Sequence, residues 1–354
     1  MNLHLVGPVG LSDPARPSGG NVYDLRLAAA LRARGREVTV HETTLDGLGG
    51  LLDGLPDGGT AVVDGLVGSP APDALAAARA RLRLVLLVHL PVGLAVAGSV
   101  PRTEAESRAV AAVDAVVSTS RWTRDWLADA YAIPPDRLHV VVPGAEKAPL
   151  AEGSVAGDRL LSVGAITPVK GHDVLVDALA SLTDLRWTWT LVGASVDATH
   201  ATSLWATLWE AGLDDRVTLA GALAGSDVAA AYADADLLVL PSRHETYGIV
   251  ASEALAAGVP VLATEVGGVR EALGGGPDDP PNDLPGDLPG DLPGLLVPGE
   301  DPAALAAALR EWLTTPVLRA RLRRLAADRR AALEGWDVAA ARVEDVLARV
   351  ATSR

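Results

Sequence analysis

The chain has 354 residues, more than a single compact core usually serves, and that length predicts two domains. A composition that is 49% hydrophobic and 21% charged excludes wholesale disorder, and the absence of cysteine excludes disulfides, thiolate metal sites and cysteine nucleophiles. The net charge of −15 argues against nucleic acid or an anionic membrane as a partner, and it is uneven: residues 1–150 carry 14 basic and 16 acidic side chains, residues 151–354 carry 16 and 29.

In chain order, Leu3–Val6, Glu37–His41, Ala61–Val63, Leu84–Val88 and Ala115–Val117 read as buried strands, with helices near 20–34, 71–82, 103–112 and 121–131. A proline-punctuated link follows at Val142–Gly157. The alternation then restarts, with strands at Arg159–Val163, Trp187–Val192, Val217–Leu219, Leu237–Leu240 and Pro260–Ala263. Repeated strand–helix alternation implies parallel sheets wound by right-handed crossovers, so the expected fold is α/β with two Rossmann-like domains in series. Residues 283–294 repeat Asp-Leu-Pro-Gly three times, and proline every fourth residue makes 274–294 a surface loop. The arginines at 321, 323, 324, 329 and 330 read as a solvated helix face. No cationic-then-apolar leader opens the chain. The longest apolar run, Leu84–Val100, is broken by His89, Pro91 and two glycines, so the expectation is a cytoplasmic protein without stable membrane association.

The most informative stretch is Leu240–Gly268. A strand ends at Leu240, a turn carries Glu245, and a helix begins near Gly248 and stops at Gly258. Its first turn offers the N–H groups of Gly248, Ile249 and Val250 at a sheet's carboxyl edge, which is an anion site suited to phosphate. Taken singly, Glu245 reads as a helix-terminus charge and Glu253 as an exposed helix residue. Lys170 is one of only two lysines and is flanked by Gly171, between a strand and a helix, where it can reach a phosphate. Gly19-Gly20 reads alone as an ordinary turn before a helix. His89 closes a strand and reads equally as a cleft residue or as a buried, satisfied histidine.

Together, Glu245-x7-Glu253 in this strand–turn–helix setting, followed by GVPVLAT and GG, resembles family 4 of the retaining, nucleotide-sugar-dependent glycosyltransferases of the GT-B fold. The segments GGNVYDLRLAAALRARGREVTV, TSRWTRDWLADAYAIPPDRLHVVVPGAE, VGAITPVKGHDVLVDAL and LLVPGEDPAALAAAL fall in the family's order, covering nearly the whole chain. The resemblance implies two Rossmann-like domains facing across a deep cleft. Residues 1–150 would form the acceptor-side domain and 151–334 the nucleotide-sugar domain, with a last helix at 335–354 returning to the first. It further implies catalytic roles for Glu245, Lys170 and His89. Glu245 would bind donor-sugar hydroxyls, Lys170 the diphosphate and Glu253 the ribose. Gly248, Ile249, Val250 and Tyr247 would line the donor, with Gly19 and Gly20 close to the reacting centre. The implied chemistry needs no metal or bound cofactor, the nucleotide sugar being a co-substrate, and moves a hexosyl group from a UDP- or GDP-sugar to a soluble small molecule.

The chain departs from the family pattern in places. Ala165 stands where an arginine is usual, and Arg243 is the candidate replacement; Thr246-Tyr247 stands where Gly-Phe is common. Rival readings are a silent nucleotide-sugar binder and a GT-B phosphorylase or synthase. An NAD-dependent oxidoreductase lacks the G-x-G-x-x-G that its first strand would need.

Overall fold

The structure, a computed structural model, describes residues 2–13, 18–95, 100–276 and 292–352. It divides into two compact units. The first comprises Met1–Asp13, Gly19–Gly144 and Glu334–Arg354, and the second is chiefly Ala145–Leu333. The passage from one unit to the next therefore falls at Gly144, within the proline-punctuated link and ahead of residue 150.

The first unit is built on β1 (Leu3–Pro8), β2 (Val38–Thr43), β3 (Thr60–Asp64), β4 (Arg83–Val88), β5 (Ala115–Ser118) and β6 (Leu138–Val140), in the order β2-β1-β3-β4-β5-β6. All neighbours pair parallel. Strand order reverses between β1 and β3, which marks the place where an open α/β sheet leaves a crevice at its strands' carboxyl ends. The helix Trp336–Thr352 belongs to this unit. It buries Trp336, Ala339, Ala340, Val343, Val346, Leu347 and Val350, a stripe of helical period, and Trp336 packs edge-on to Tyr23 at 5.2 Å. Glu344 on the same helix pairs with Arg34 and Arg36.

The second unit contains β7 (Arg159–Val163), β8 (Thr188–Val192), β9 (Val217–Gly221), β10 (Leu237–Leu240), β11 (Val261–Thr264) and β12 (Gly294–Val297), ordered β12-β11-β10-β7-β8-β9 and parallel throughout. The reversal lies between β7 and β10. With no phenylalanine in the chain, tryptophan supplies the large aromatic side chains of a leucine- and valine-rich core: Trp187, Trp189 and Trp312 are fully buried. Each indole N–H has a partner, in Leu182 O, Ser162 Oγ and Gly157 O respectively.

Three sequence expectations change here. The arginines of the helix Pro316–Ala332 are not a solvated face. Arg323 donates to Ser154 O and Asp236, Arg329 to Ala272 O, and Arg330 to Ala256 O and Ala148 O; Arg319 is buried against the carbonyls of Trp312 and Leu313. Only Arg324 of the five named arginines is exposed; the other four are half-buried. The loop expected to run to 294 ends earlier, because Leu292 is buried and β12 begins at Gly294. Most of the Asp-Leu-Pro-Gly repeat lies outside the described residues. β6 and β12 themselves were not expected. Both are very short, and proline lies close before each, which hides the period of a strand.

Candidate functional site

In the second unit the site forms at the strand-order reversal. The chain leaving β7 makes a short 3-10 turn at Pro168–Lys170, and the chain leaving β10 carries Ser242, Arg243 and Glu245. Because β7 and β10 are neighbours, the two turns meet: Lys170 Nζ donates to Glu245 Oε1 at 2.5 Å, and Ser242 Oγ donates to the same oxygen at 2.9 Å. The lysine side chain is 26% exposed and the glutamate 11%, so this ion pair is partly withdrawn from water. Gly171 closes the lysine turn at φ +63, where a Cβ would lie 2.1 Å from Pro241 O. Gly267, at φ +56, lets the next strand's turn approach Glu245 O, on which a Cβ would sit at 1.6 Å.

The helix Ile249–Ala256 follows directly. Gly248 is its N-cap residue, in the left-handed region, and no side chain caps it, so the first-turn N–H groups of Ile249 and Val250 keep their anion-binding capacity. Tyr247 is buried beside Ser252. Glu253, half-buried one turn further on, accepts from Tyr232 Oη at 2.8 Å, which gives this carboxylate the partner its apolar helix demanded.

Arg243, the candidate second cation, is engaged by protein groups. Its guanidinium makes a bidentate pair with Asp173 at 2.9 and 2.7 Å, meets Glu300 at 3.0 Å and donates to Pro168 O at 2.6 Å. The hydrogen bond to Asp173, ahead of burial, raises the guanidinium's pKa and lowers the carboxyl's. With its own N–H bonded to Val169 O, Arg243 fastens the lysine turn. His172 adds no charge either: burial first, then Lys170, push its imidazole down to about 3.

The first unit holds His89, just past β4. Its Nε2 bonds Asp24 Oδ1 at 2.8 Å, and Asp64 Oδ2 lies 3.9 Å away. Asp24 stands one turn into the helix Gly19–Ala33, and Asp64 ends β3, so both flank that sheet's reversal. Both carboxylates are buried. Gly20 lies against the ring, a Cβ there reaching His89 Cδ2 at 3.1 Å, and Tyr23 meets it edge-on at 5.0 Å. His89 is a part-buried ring, 11% exposed and bonded to Asp24, at the carboxyl edge of the sheet. Sequence reasoning did not find Asp24 or Asp64. The available signal was an aspartate closing a buried strand before glycine and another on the buried face of an alanine- and leucine-rich helix. The loops after β3 and β4 are anchored by Glu106, which is fully buried and accepts from Ser69 Oγ, the N–H groups of Val92 and Gly93, and Tyr131 Oη.

Two family models match the chain: Glycosyltransferase Family 4 over residues 62–147, which include His89 and Asp64, and Glycosyl transferases group 1 over residues 157–315, which include Lys170, Glu245 and Glu253. The chain belongs to the family 4 glycosyltransferases. Curated relatives of this family 4 chain include the D-inositol 3-phosphate glycosyltransferases of Xylanimonas cellulosilytica and Kineococcus radiotolerans. They are 35% and 34% identical over 280 and 273 residues, which is 73% and 72% of this chain. The chain spans 63% and 61% of their lengths. Among solved structures, sucrose-phosphate synthase from Thermosynechococcus elongatus matches over the whole of both chains at a TM-score of 0.82 and 21% identity. HepE from Anabaena, solved with UDP and glucose, matches over 98% of this chain and 99% of its own at a TM-score of 0.77 and 17% identity. These likenesses establish the GT-B fold for the family 4 chain. No helix among the described residues is long and apolar enough to cross a membrane.

Proposed function

We propose that the protein is a retaining glycosyltransferase that moves a hexosyl group from a UDP- or GDP-sugar to a hydroxyl of a soluble small molecule, without a metal. The observation that carries this reading is the Lys170–Glu245 pair beside the uncapped helix Ile249–Ala256. Cation and carboxylate satisfy each other in the structure, and a nucleotide sugar offers a partner to both, diphosphate to Nζ and sugar hydroxyls to Glu245. Neither charge is left buried alone. In the reaction the acceptor oxygen bonds to the anomeric carbon while the bond from that carbon to the diphosphate breaks. The acceptor's proton passes to the departing phosphate oxygen, on the same face. Negative charge grows on the leaving group, where Lys170 and the helix N–H groups stabilise it. Glu245 positions the sugar and forms no covalent intermediate. Glu253 takes the ribose hydroxyls. For the acceptor, the relatives' named substrate makes an inositol phosphate the first compound to try, in keeping with a soluble cyclitol.

The test begins with thermal shifts against UDP, GDP, ADP, their sugar conjugates and NAD. Ligand at a hundred times its Kd adds about 2.7 kcal/mol of stability. One nucleoside diphosphate is expected to stabilise the wild type and to fail with Lys170→Ala and Glu253→Ala. Incubation with the matching sugar nucleotide and inositol phosphate, in EDTA, should then release nucleotide and yield a glycoside of unchanged anomeric configuration by NMR. Stabilisation by NAD alone, or by nothing, overturns the reading. Because Arg243 is committed to Asp173 and position 165 is alanine, a silent nucleotide-sugar binder is the second reading. Tight binding with no release of nucleotide for any acceptor would select it.

A further inference from the structure

Asp24, Asp64 and His89 make a buried cluster with two acidic groups and one basic group. One carboxylate oxygen from each aspartate and one ring nitrogen all lie within 4.8 Å of one another. The aspartates are 0% and 1% exposed. One oxygen of each is accounted for: Asp24 Oδ1 accepts from His89 Nε2, and Asp64 Oδ1 accepts from Leu66 N at 2.7 Å. The other two, Asp24 Oδ2 and Asp64 Oδ2, are buried without any donor. Two unpartnered buried acceptors in one cluster cost free energy that neither repays, and one proton shared between the two carboxyls would satisfy both.

We infer that Asp64 is a protonated acid donating from Oδ2 to Asp24 Oδ2, and that Asp24 is thereby the carboxylate that holds His89 as a cation with Nδ1–H outward. The cluster is then neutral overall, as a buried group of three should be. A carboxylate at Asp24 can only accept, so in this arrangement Nε2 carries the proton. Nδ1 has no protein partner among the described residues and is absent from the buried unpartnered atoms, so it is the edge left open. The ring cannot turn away, with Gly20 against one face and Tyr23 edge-on. No other charged side chain among the described residues acts on His89; Arg342, from the helix Trp336–Thr352, acts on Tyr23 behind it. Burial opposes a charged imidazole, yet the charge and hydrogen bond of Asp24 leave it above its ordinary value. Burial pushes the Asp64 carboxyl up.

His89 is therefore a fixed cationic donor for a substrate oxygen and not a general base, and Asp24 is its positioning residue. This use of the cation rests on the glycosyl-transfer reading, but the protonation can be measured without substrate, so either can fail alone. The experiment is long-range 1H–15N NMR of histidine-labelled protein, with His89→Gln to assign the ring. Wild-type His89 is expected to titrate above about 6.5. Asp24→Asn should lower that midpoint by about one unit, tenfold in proton affinity. Asp64→Asn should leave it in place, because its carboxamide donates to Asp24 as the acid does. Should Asp24→Asn not fold, the wild type at pH 6 and below must still show in the infrared a protonated-carboxyl band that Asp64→Asn removes. Where transfer is assayed, a fixed cation makes kcat/KM fall on the alkaline side and Asp24→Asn moves that fall to lower pH. A His89 midpoint at or below the ordinary imidazole value overturns the assignment. So does an Asp64→Asn shift as large as that of Asp24→Asn, no carboxyl band, wild-type signals that move with EDTA or added Zn²⁺, or a kcat/KM that rises through an acidic limb.

Discussion

Gly267 shows how closely one residue controls the donor turn. At φ +56 it sits where an alanine Cβ would meet Glu245 O at 1.6 Å, while Gly268 N donates to that same oxygen at 3.1 Å. Gly267→Ala carries the left-handed cost of about 1–3 kcal/mol and must also displace the Glu245 turn. Nucleotide-sugar affinity, measured by calorimetry at a temperature where the variant stays folded, is expected to fall at least about tenfold, 1.4 kcal/mol. Gly35 is the control, at φ +86 with nothing within 4 Å, so Gly35→Ala costs stability and leaves affinity alone. Equal losses of affinity in both would show that the turn does not position Glu245. Lys170 and Glu245 were legible in the sequence because the loops that carry them follow recognisable strands at a recognisable spacing. Asp24, Asp64 and the Asp173–Arg243 pair were not. Each is a charge whose partner is brought near only by the tertiary fold, so no local pattern marks it.

Elements are fastened to one another in the second unit by a buried carboxylate. Asp236 immediately precedes β10 and is fully buried; it accepts from Ser154 N and Oγ, Arg159 N and Nε, and Arg323 Nη2. It thereby joins the incoming link, β7, β10 and the helix Pro316–Ala332. Burial would raise this carboxyl, but the Ser154 and Arg159 hydrogen bonds outweigh it and hold the pKa below its ordinary value. A pKa lower in the folded state stabilises fully above the unfolded value near 3.9, and that contribution is lost as pH falls through the folded value. Asp236→Asn is expected to cost about 3–5 kcal/mol at neutral pH and to lose less than the wild type on acidification below about pH 4. Urea titrations of both proteins across that range decide it; parallel acid limbs would remove Asp236 from the account. No local pattern marks the acid at 236, and the arginines read as solvated charge. Sequence records that a guanidinium is present and says nothing of which carbonyl lies within its reach.

At the scale of the whole molecule, each unit has its own parallel sheet and core, yet the first is completed by chain that returns after the second. The alternation of strands and helices made the inner strands of both sheets legible, since β1, β3, β4, β10 and β11 are largely apolar runs, while β6 and β12 escaped it. The last helix was placed by resemblance, and the physical basis of its docking is its seven-residue buried stripe. Burying Val343, Val346, Leu347 and Val350 at roughly 1.5–3 kcal/mol each, before Trp336 is added, approaches the 5–15 kcal/mol that keeps a domain folded. A chain ending at Leu333 is therefore expected to lose the first unit and keep the second. Hydrogen exchange should show β1–β5 unprotected and β7, β8, β10 and β11 still protected. The same chain should retain nucleotide affinity if Lys170, Glu245 and the helix Ile249–Ala256 bind the donor, while the His89 cluster, which rests on Tyr23 and through it on Trp336, should dissolve. Protected β1–β5 would make the helix peripheral. Loss of nucleotide affinity with the second unit still protected would mean that the donor site draws on residues outside that unit, and the assignment of donor binding to Lys170 and Glu245 alone would fall.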